Sequence, residues 1–300
     1  MTGSPIPQRR IGMIGLGAMG SPIAANFVAA GQPLVVADTD PAAVRSFLAT
    51  HPDLATTGDP AGCDIVVLSL PTSDVVDDVV LGETGLLSRL APGSIIVDMS
   101  SSVPARTRAL GEEAARLGVS VVDAPVSGGV ARAVVADLAV MVGGETDAVE
   151  NVRPLLAVTA REIIHVGPTG SAHAAKALNN LLSAVGLFAA AEVLVVGAKF
   201  GIDPATLLSV LNAGSGRNQA TEAKFGTFVL NRGFDSGFTA TLMNKDIGIA
   251  LDLAHDCGVD LDIGSALGRA WASATAAVGP GADQTEVVRI LEQAAGVELR

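Results

Sequence analysis

Ile11-Gly12-Met13-Ile14-Gly15-Leu16-Gly17-Ala18-Met19-Gly20 is the stretch on which the reading of the whole chain turns. A short apolar run, Ile11–Ile14, leads into glycines spaced G-x-G-x-x-G, and the helical pattern Ala18–Ala30 follows at once. The spacing alone is a weak signal. With a strand before it and a helix after it, it reads as the phosphate-binding turn of a βαβ unit. The first glycine permits the tight turn, the second lets backbone approach a pyrophosphate, and the third allows close helix packing. The helix N-terminus then faces the phosphate charge.

Asp38 ends the next apolar run, eighteen residues after Gly20, where a carboxylate accepts hydrogen bonds from ribose hydroxyls and repels a 2′-phosphate. Thr39 follows it with no arginine alongside, so NAD is favoured. Arg45, one turn into the following helix, keeps NADP in play.

From the turn outward to about residue 166, runs nearly continuous in Val, Ile and Leu alternate with helical patterns: Ile11–Ile14, Leu34–Ala37, Ile65–Ser69, Ser94–Val97, Ser120–Val122, Leu138–Val142 and Glu162–Val166. Unbroken apolar runs mark strands covered on both faces. After Gly167 the strands stop, and helices are predicted over about 169–200, 204–213, 217–230, 240–257, 260–278 and 283–295. The fold class is α/β: an N-terminal Rossmann-type doubly wound sheet over 1–166, then an all-α domain over 167–300, joined by a long helix.

Composition narrows the chemistry. The 300 residues are 49% apolar, enough for a proper core, with 31 acidic against 19 basic residues and a net charge of −12. That balance argues against a nucleic-acid or anionic-membrane partner. Tyrosine is absent, which excludes any mechanism using a phenol as proton donor. Lysine is confined to Lys176, Lys199, Lys224 and Lys245, so each is a better functional candidate than usual. Cys63 and Cys257 are too few for a cysteine-rich zinc site and read as small buried apolar residues in a reducing compartment. The four histidines are scattered, and no metal site is expected. The start MTGSPIPQRR is followed by glycines rather than a secretory apolar core, so the chain is expected in the cytoplasm. Leu181–Ala198 approaches membrane-span length but contains Glu192, and is read as a buried core helix.

Further motifs fall at strand ends. Leu70-Pro71-Thr72-Ser73 and Asp98-Met99-Ser100-Ser101 leave the carboxyl edge, either as ligand contacts or as helix caps. Asp123-Ala124-Pro125-Val126-Ser127-Gly128-Gly129 offers bare backbone N–H groups suited to a carboxylate. At the start of the long helix, Lys176 and Asn180 share one face. From spacing alone Lys176 is either an amphipathic lysine with its head in water or a desolvated proton carrier, with Asn180 orienting the reacting oxygen. His173, a turn earlier, is a rival proton carrier. Lys245-Asp246 is either a solvated ion pair or part of the site.

Taken together, the GLGAMG turn with Ser21-Pro22 and Asn26, DAPVSGG at 123–129, the helix start at 170–180 and Lys245-Asp246 resemble the β-hydroxyacid dehydrogenase family, over residues 9–295. That group contains 3-hydroxyisobutyrate dehydrogenase and tartronate semialdehyde reductase. The resemblance implies hydride transfer between NAD and a short 3-hydroxy acid. Lys176 is then the acid/base and Asn180 a substrate-holding residue. Ser127, Gly128 and Gly129 take the substrate carboxylate, and Lys245 closes over cofactor and substrate. It places Gly15, Leu16, Gly17, Ala18, Met19, Gly20, Asp38, Thr39, Leu70, Pro71 and Ser101 on the dinucleotide.

The chain departs from the family pattern at Ala172, usually glycine, and at Ser101, often threonine. Arg217 and Asn218 are placed to meet a second polar or anionic substrate group. Other readings are a tartronate semialdehyde reductase, a sugar-acid or serine-type dehydrogenase, an imine reductase, and a non-catalytic dinucleotide binder. Lys176 counts against the imine reductase. The long apolar helix points to a homo-oligomer, dimer or tetramer.

Overall fold

Side chains on a central parallel strand meet helices on both faces, and the most buried strands here are the most uniformly branched: β4 (Ile65–Leu68) and β5 (Ile95–Asp98) are covered at every position. They belong to a computed structural model that describes residues 9–300. Residues 1–8, most of the start MTGSPIPQRR and the beginning of the expected first domain, lie outside the described residues. The chain divides into two compact units, one running to Lys176 and the other Ala177–Arg300.

In the first unit β1 (Ile11–Ile14), β2 (Leu34–Ala37), β3 (Ala55–Thr57), β4, β5 and β6 (Ser120–Asp123) are joined by α1 (Gly20–Ala29), α2 (Pro41–Thr50), α3 (Ser73–Leu81) and α4 (Pro104–Arg116). They are followed by β7 (Val126–Ser127), α5 (Gly129–Val134), β8 (Leu138–Gly143), α6 (Thr146–Leu156) and β9 (Ala160–Gly167). The sheet order is β3-β2-β1-β4-β5-β6-β8-β7, with β9 on β8. The strand order reverses direction beside β1, between β2 and β4, which is the switch point where doubly wound sheets bind ligands.

Registers align the carboxyl ends: Ile14 pairs with Ala37 and Leu68, Leu68 with Asp98, and Asp98 with Asp123. Two apolar layers sandwich the strands. Val67 and Val97 face Phe27 and Val152, while Val66, Leu68 and Ile96 face Val80 and Leu110.

The repeated βαβ pattern ends sooner than the sequence predicts. β8 runs antiparallel to both β6 and β7, and only β9 on β8 restores parallel pairing. The stretch between β6 and β8 holds, besides the two-residue β7, only the six-residue α5, too short to carry the chain back across the sheet, so it folds as a hairpin-like return. The two-residue β7 and the three-residue β3 have no apolar run of their own. β9 lies at a sheet edge and leaves Ile164 and Val166 exposed, so it is not covered on both faces as its composition suggests.

The long helix α7 (Ser171–Phe200) leads into α8 (Pro204–Ala213), α9 (Ala240–Asp256), α10 (Asp262–Val278) and α11 (Val287–Ala295), which with the remainder of α7 make the second unit. Trp271 anchors it, fully buried, its indole N–H donating to Ala240 O at 3.1 Å. The segment predicted as a helix over 217–230 is π-helical over Thr221–Val229, closed by Leu230 N–H on Phe225 O at 2.9 Å. The expected helix over 283–295 opens with a 3-10 turn, Gln284–Glu286, before α11.

By length and composition α7 is able to cross a membrane, yet only 44% of its most apolar window is buried, so it is not the fully covered core helix its composition suggests. Ala184, Leu187, Ala191 and Leu194 are inside, while Leu178, Leu182, Val193, Val196 and Phe200 form an exposed stripe at helical spacing.

Candidate active site

The three glycines of the first turn are each there for a different reason. At Gly15, φ is +95° and a Cβ would stand 2.2 Å from Ser69 O, so the turn closes directly against the end of β4. At Gly20 a Cβ would stand 1.9 Å from Gly15 O, so α1 begins in contact with the turn. A Cβ at Gly17 would meet no atom within 4 Å. Gly17 and Ala18 are exposed, Met19 half-buried, and Gly15, Leu16 and Gly20 buried. No side chain caps the start of α1 and no acid stands in its first turn. The protein itself has no need of a glycine at 17, whereas a dinucleotide pyrophosphate at the helix start does. The residues present therefore fit the cofactor.

Asp38 is tied to the turn by both of its oxygens. Its Oδ2 accepts Leu16 N–H at 2.6 Å and its Oδ1 accepts Asp40 N–H at 2.8 Å, so the carboxylate shapes the turn. Each oxygen keeps a lone pair for a ribose hydroxyl. Thr39 beside it is exposed, as is Arg45 on α2.

On the same carboxyl edge, Leu70 N–H donates to Ser100 Oγ at 2.9 Å, joining the turn after β4 to that after β5. Leu70 and Ser101 are half-buried and Pro71 is exposed. Asp98 and Asp123, register partners at the ends of β5 and β6, are both buried. Asp98 Oδ1 accepts Ser100 N–H at 2.9 Å, and its Oδ2 accepts the Ser102 hydroxyl at 2.9 Å. Asp123 accepts Gly170 N–H at 2.7 Å and His173 N–H at 2.9 Å, capping the start of α7.

After Asp123 the chain reaches half-buried Ser127, exposed Gly128 with φ +135° and half-buried Gly129 with φ +70°. Only glycine adopts this pair of left-handed conformations without strain. Asn26 on α1 fixes the far end of α5, its amide donating to Ala133 O at 2.8 Å and Thr159 Oγ1 at 3.0 Å.

Lys176 is half-buried in the second turn of α7. His173, its rival as proton carrier, is buried with both ring nitrogens engaged: Nε2 lies 3.1 Å from Ser100 O and Nδ1 2.8 Å from Thr107 Oγ1. It therefore holds structure rather than exchanging protons with a ligand.

In the second unit Asn180 Nδ2 donates to Asp246 Oδ2 at 2.6 Å, while Asn179 Nδ2 donates to Asn180 Oδ1 at 3.2 Å, which fixes the amide's direction. Lys245 Nζ is 3.3 Å from Asp246 Oδ1. Asp246 is only 1% exposed, so the pair is not the solvated surface contact that its sequence also allows. Asn218 Oδ1 accepts Ala220 N–H at 2.8 Å, and Arg217 lies 3.6 Å from Glu222.

The remaining lysines diverge. Lys199 donates to Ala295 O at 2.9 Å. Lys224 is buried in the π-helical segment, reaching Gln284 Oε1 at 3.1 Å and Ser183 Oγ at 3.3 Å. Asp98, Asp123 and Asp246 stand inside motifs that the sequence offers, but their burial is not legible there, because an acid at a strand end or on a helix carries no pattern announcing it. The scarcity of lysine marks Lys224 in the sequence, but not its burial beside Ser183 and Gln284.

Residues 10–167 match the family described as the NAD binding domain of 6-phosphogluconate dehydrogenase, and residues 170–291 the NAD-binding family of NADP-dependent 3-hydroxyisobutyrate dehydrogenase. The chain is 37% identical to 2-(hydroxymethyl)glutarate dehydrogenase of Eubacterium barkeri, over 97% of each chain. It is 36% identical to NAD-dependent L-serine dehydrogenase of Pseudomonas aeruginosa, over 86% of this chain and 89% of that one. It superposes on 3-hydroxyisobutyrate dehydrogenase of Mycobacterium tuberculosis, solved with L-serine, at a TM-score of 0.85 and 34% identity, covering 94% of this chain and 99% of that one. With both halves of the chain matched and the glycine turn built for a dinucleotide, this protein belongs to the β-hydroxyacid dehydrogenase family.

Proposed function

We propose that the chain oxidises the hydroxyl of a short 3-hydroxy carboxylic acid with NAD, reversibly, and that Lys176 is the acid/base. The observation that carries this reading is the pairing on α7 of half-buried Lys176 with Asn180, whose amide the buried Asp246 holds in one orientation. Three similar proteins are named for 2-(hydroxymethyl)glutarate, L-serine and 3-hydroxyisobutyrate, and all three compounds carry a CH2OH group on the carbon next to a carboxylate. That shared group is the substrate class proposed here, and a semialdehyde is the product.

A bound dinucleotide would supply the hydride acceptor for the carbon bearing the hydroxyl. Ser127 and the backbone N–H groups of Gly128 and Gly129 hold the substrate carboxylate. Neutral Lys176 accepts the hydroxyl proton as the carbonyl forms, and its ammonium returns a proton in the reverse direction; such positioned transfer is worth about 10²–10⁴-fold. Asn180 keeps one amide hydrogen for the reacting oxygen, the other being given to Asp246. Lys245 contacts cofactor and substrate. Gly15 to Gly20, Asp38, Thr39, Leu70, Pro71 and Ser101 bind the dinucleotide.

Asp38 supports NAD over NADP, since its carboxylate repels a 2′-phosphate. The exposed stripe from Leu178 to Phe200 supports assembly with further copies of the chain, because an apolar helix face of that length is costly to leave in water. The acidic balance and sparse cysteine support a cytoplasmic enzyme without nucleic-acid or membrane partners.

The test is dinucleotide reduction with purified protein on 3-hydroxyisobutyrate, L-serine, 2-(hydroxymethyl)glutarate, D-glycerate and L-threonate. Reduction of NAD at least tenfold faster than NADP on one hydroxymethyl acid is expected. A protein that binds dinucleotide yet reduces it with none of these acids would refute the substrate assignment, and equal rates with NADP would refute the role given to Asp38.

A further inference from the structure

We propose that His173 is a positioning residue that ties the helix turn bearing Lys176 to the loop contacting the dinucleotide, and so sets where the proton carrier stands relative to the bound cofactor. The inference rests on the reading of Lys176 as acid/base. Three features of the first unit support it.

His173 lies three residues before Lys176, one turn earlier on α7. Its backbone N–H and its ring both leave the helix for other elements. The N–H goes to buried Asp123 at the end of β6, and the ring runs between α4 and the loop after β5. Because Ser100 O only accepts, Nε2 carries a proton toward it, and Nδ1 is left to pair with the Thr107 hydroxyl. Asp98 Oδ2, 3.8 Å from Nε2, favours that protonated nitrogen facing it.

The second feature is the residue held. Every polar group of Ser100 is tied down: its N–H to Asp98, its hydroxyl oxygen to Leu70 N–H, its carbonyl to His173. Ser100 thus joins the loops of Leu70 and Ser101, the two turns assigned to the dinucleotide. Grip on Ser100 is grip on the cofactor's seat.

The third is burial. His173 is 1% exposed, with Thr107, Asp98 and Asp123 equally enclosed, so these bonds do not compete with water. An apolar residue at 173 would fill space but leave the Ser100 carbonyl unpaired and the first turn of α7 held from the Asp123 side alone. A misplacement of about 1 Å at a reacting group costs about 10²-fold in rate, and a small displacement of the first turn of α7 is enough to produce it.

The experiment compares full-length wild type, His173→Ala, His173→Gln and Thr107→Val. NAD-binding stoichiometry counts folded sites by fluorescence titration, and kcat per site is measured on 3-hydroxyisobutyrate and L-serine. Expected for His173→Ala is a kcat per binding site lower by about 10²-fold, with the Kd for NAD within threefold of wild type. His173→Gln, whose amide N–H can still reach Ser100 O, should regain at least tenfold of that loss. Thr107→Val should cost three- to tenfold per site.

A merely structural histidine would lower the number of NAD-binding sites and leave kcat per site unchanged. Per-site turnover within twofold of wild type in His173→Ala overturns the proposal. If that variant does not fold, Thr107→Val at wild-type per-site turnover does the same. Lys176→Ala run in parallel separates the two readings. Full activity there removes the acid/base assignment and this inference with it, whereas an inactive Lys176→Ala beside an unimpaired His173→Ala removes this inference alone.

Discussion

The two glycine turns of the first unit look alike in sequence and differ in what holds them. In Gly15-Leu16-Gly17-Ala18-Met19-Gly20, two of the three glycines are demanded by the protein's own backbone, at Ser69 O and at Gly15 O, and the third is not. In Gly128-Gly129 both residues are held at positive φ, and a Cβ on the first would also press on Arg132. A glycine that packing or dihedral angle requires says little about ligands. A glycine in relaxed backbone beside open space at a helix start, as at 17, leaves room for a ligand to approach the backbone.

The sharpest way to break this comparison is Gly20→Ala. A Cβ set 1.9 Å from Gly15 O forces α1 off the turn, and a loss of about 3 kcal/mol or more is expected, seen as a fall of about 6–12 °C in Tm. A Tm within 2 °C of wild type would mean the turn relaxes freely. Gly129→Ala comes next. Its Cβ meets nothing, so the cost is the left-handed backbone alone, about 1–2 kcal/mol in urea unfolding, accompanied by a raised KM for the hydroxy acid.

Gly17→Ala should leave stability within about 0.5 kcal/mol of wild type and weaken NAD at least tenfold, about 1.4 kcal/mol of binding. Unchanged NAD affinity there would show that the open space is not the phosphate site. The smallest effect separates the cysteines. Burial pushes the Cys63 thiol up from its ordinary range, while Cys257 is exposed. One thiol per chain should react with a disulfide reagent at neutral pH in the native protein, and the second only after unfolding.

Much of the first unit is legible in sequence for a plain physical reason: parallel strands covered on both faces must be continuously apolar, and Ile65–Leu68 and Ile95–Val97 leave no other reading. The antiparallel return of β8 is not legible, because the residues of Leu138–Val142 suit either direction and only the short connection through α5 decides it. Nor is the covering of α7. Its exposed Leu182 and Phe200 are chemically like its buried Leu187 and Leu194, so composition cannot assign a face.

At the site, the glycine turn and the Lys176–Asn180 spacing are visible because each imposes a pattern. The buried carboxylates that orient them are not, since Asp123 gains its place only when α7 is brought over β6 to present Gly170 and His173 N–H. Asp246 gains its own only through Asn180. His173 is ambiguous for the same reason: its role is set by Ser100 and Thr107, 73 and 66 residues away in sequence.

The central claim is that Lys176 carries the proton, and it is tested most directly by Lys176→Ala with small amines. With a hydroxymethyl acid and NAD at saturation, the variant should lose about 10²–10⁴-fold in kcat while its Kd for NAD stays within threefold of wild type. Added methylamine should restore part of the lost rate in proportion to the free-base concentration. Turnover within threefold of wild type, or a loss explained by failed NAD binding alone, would contradict the account.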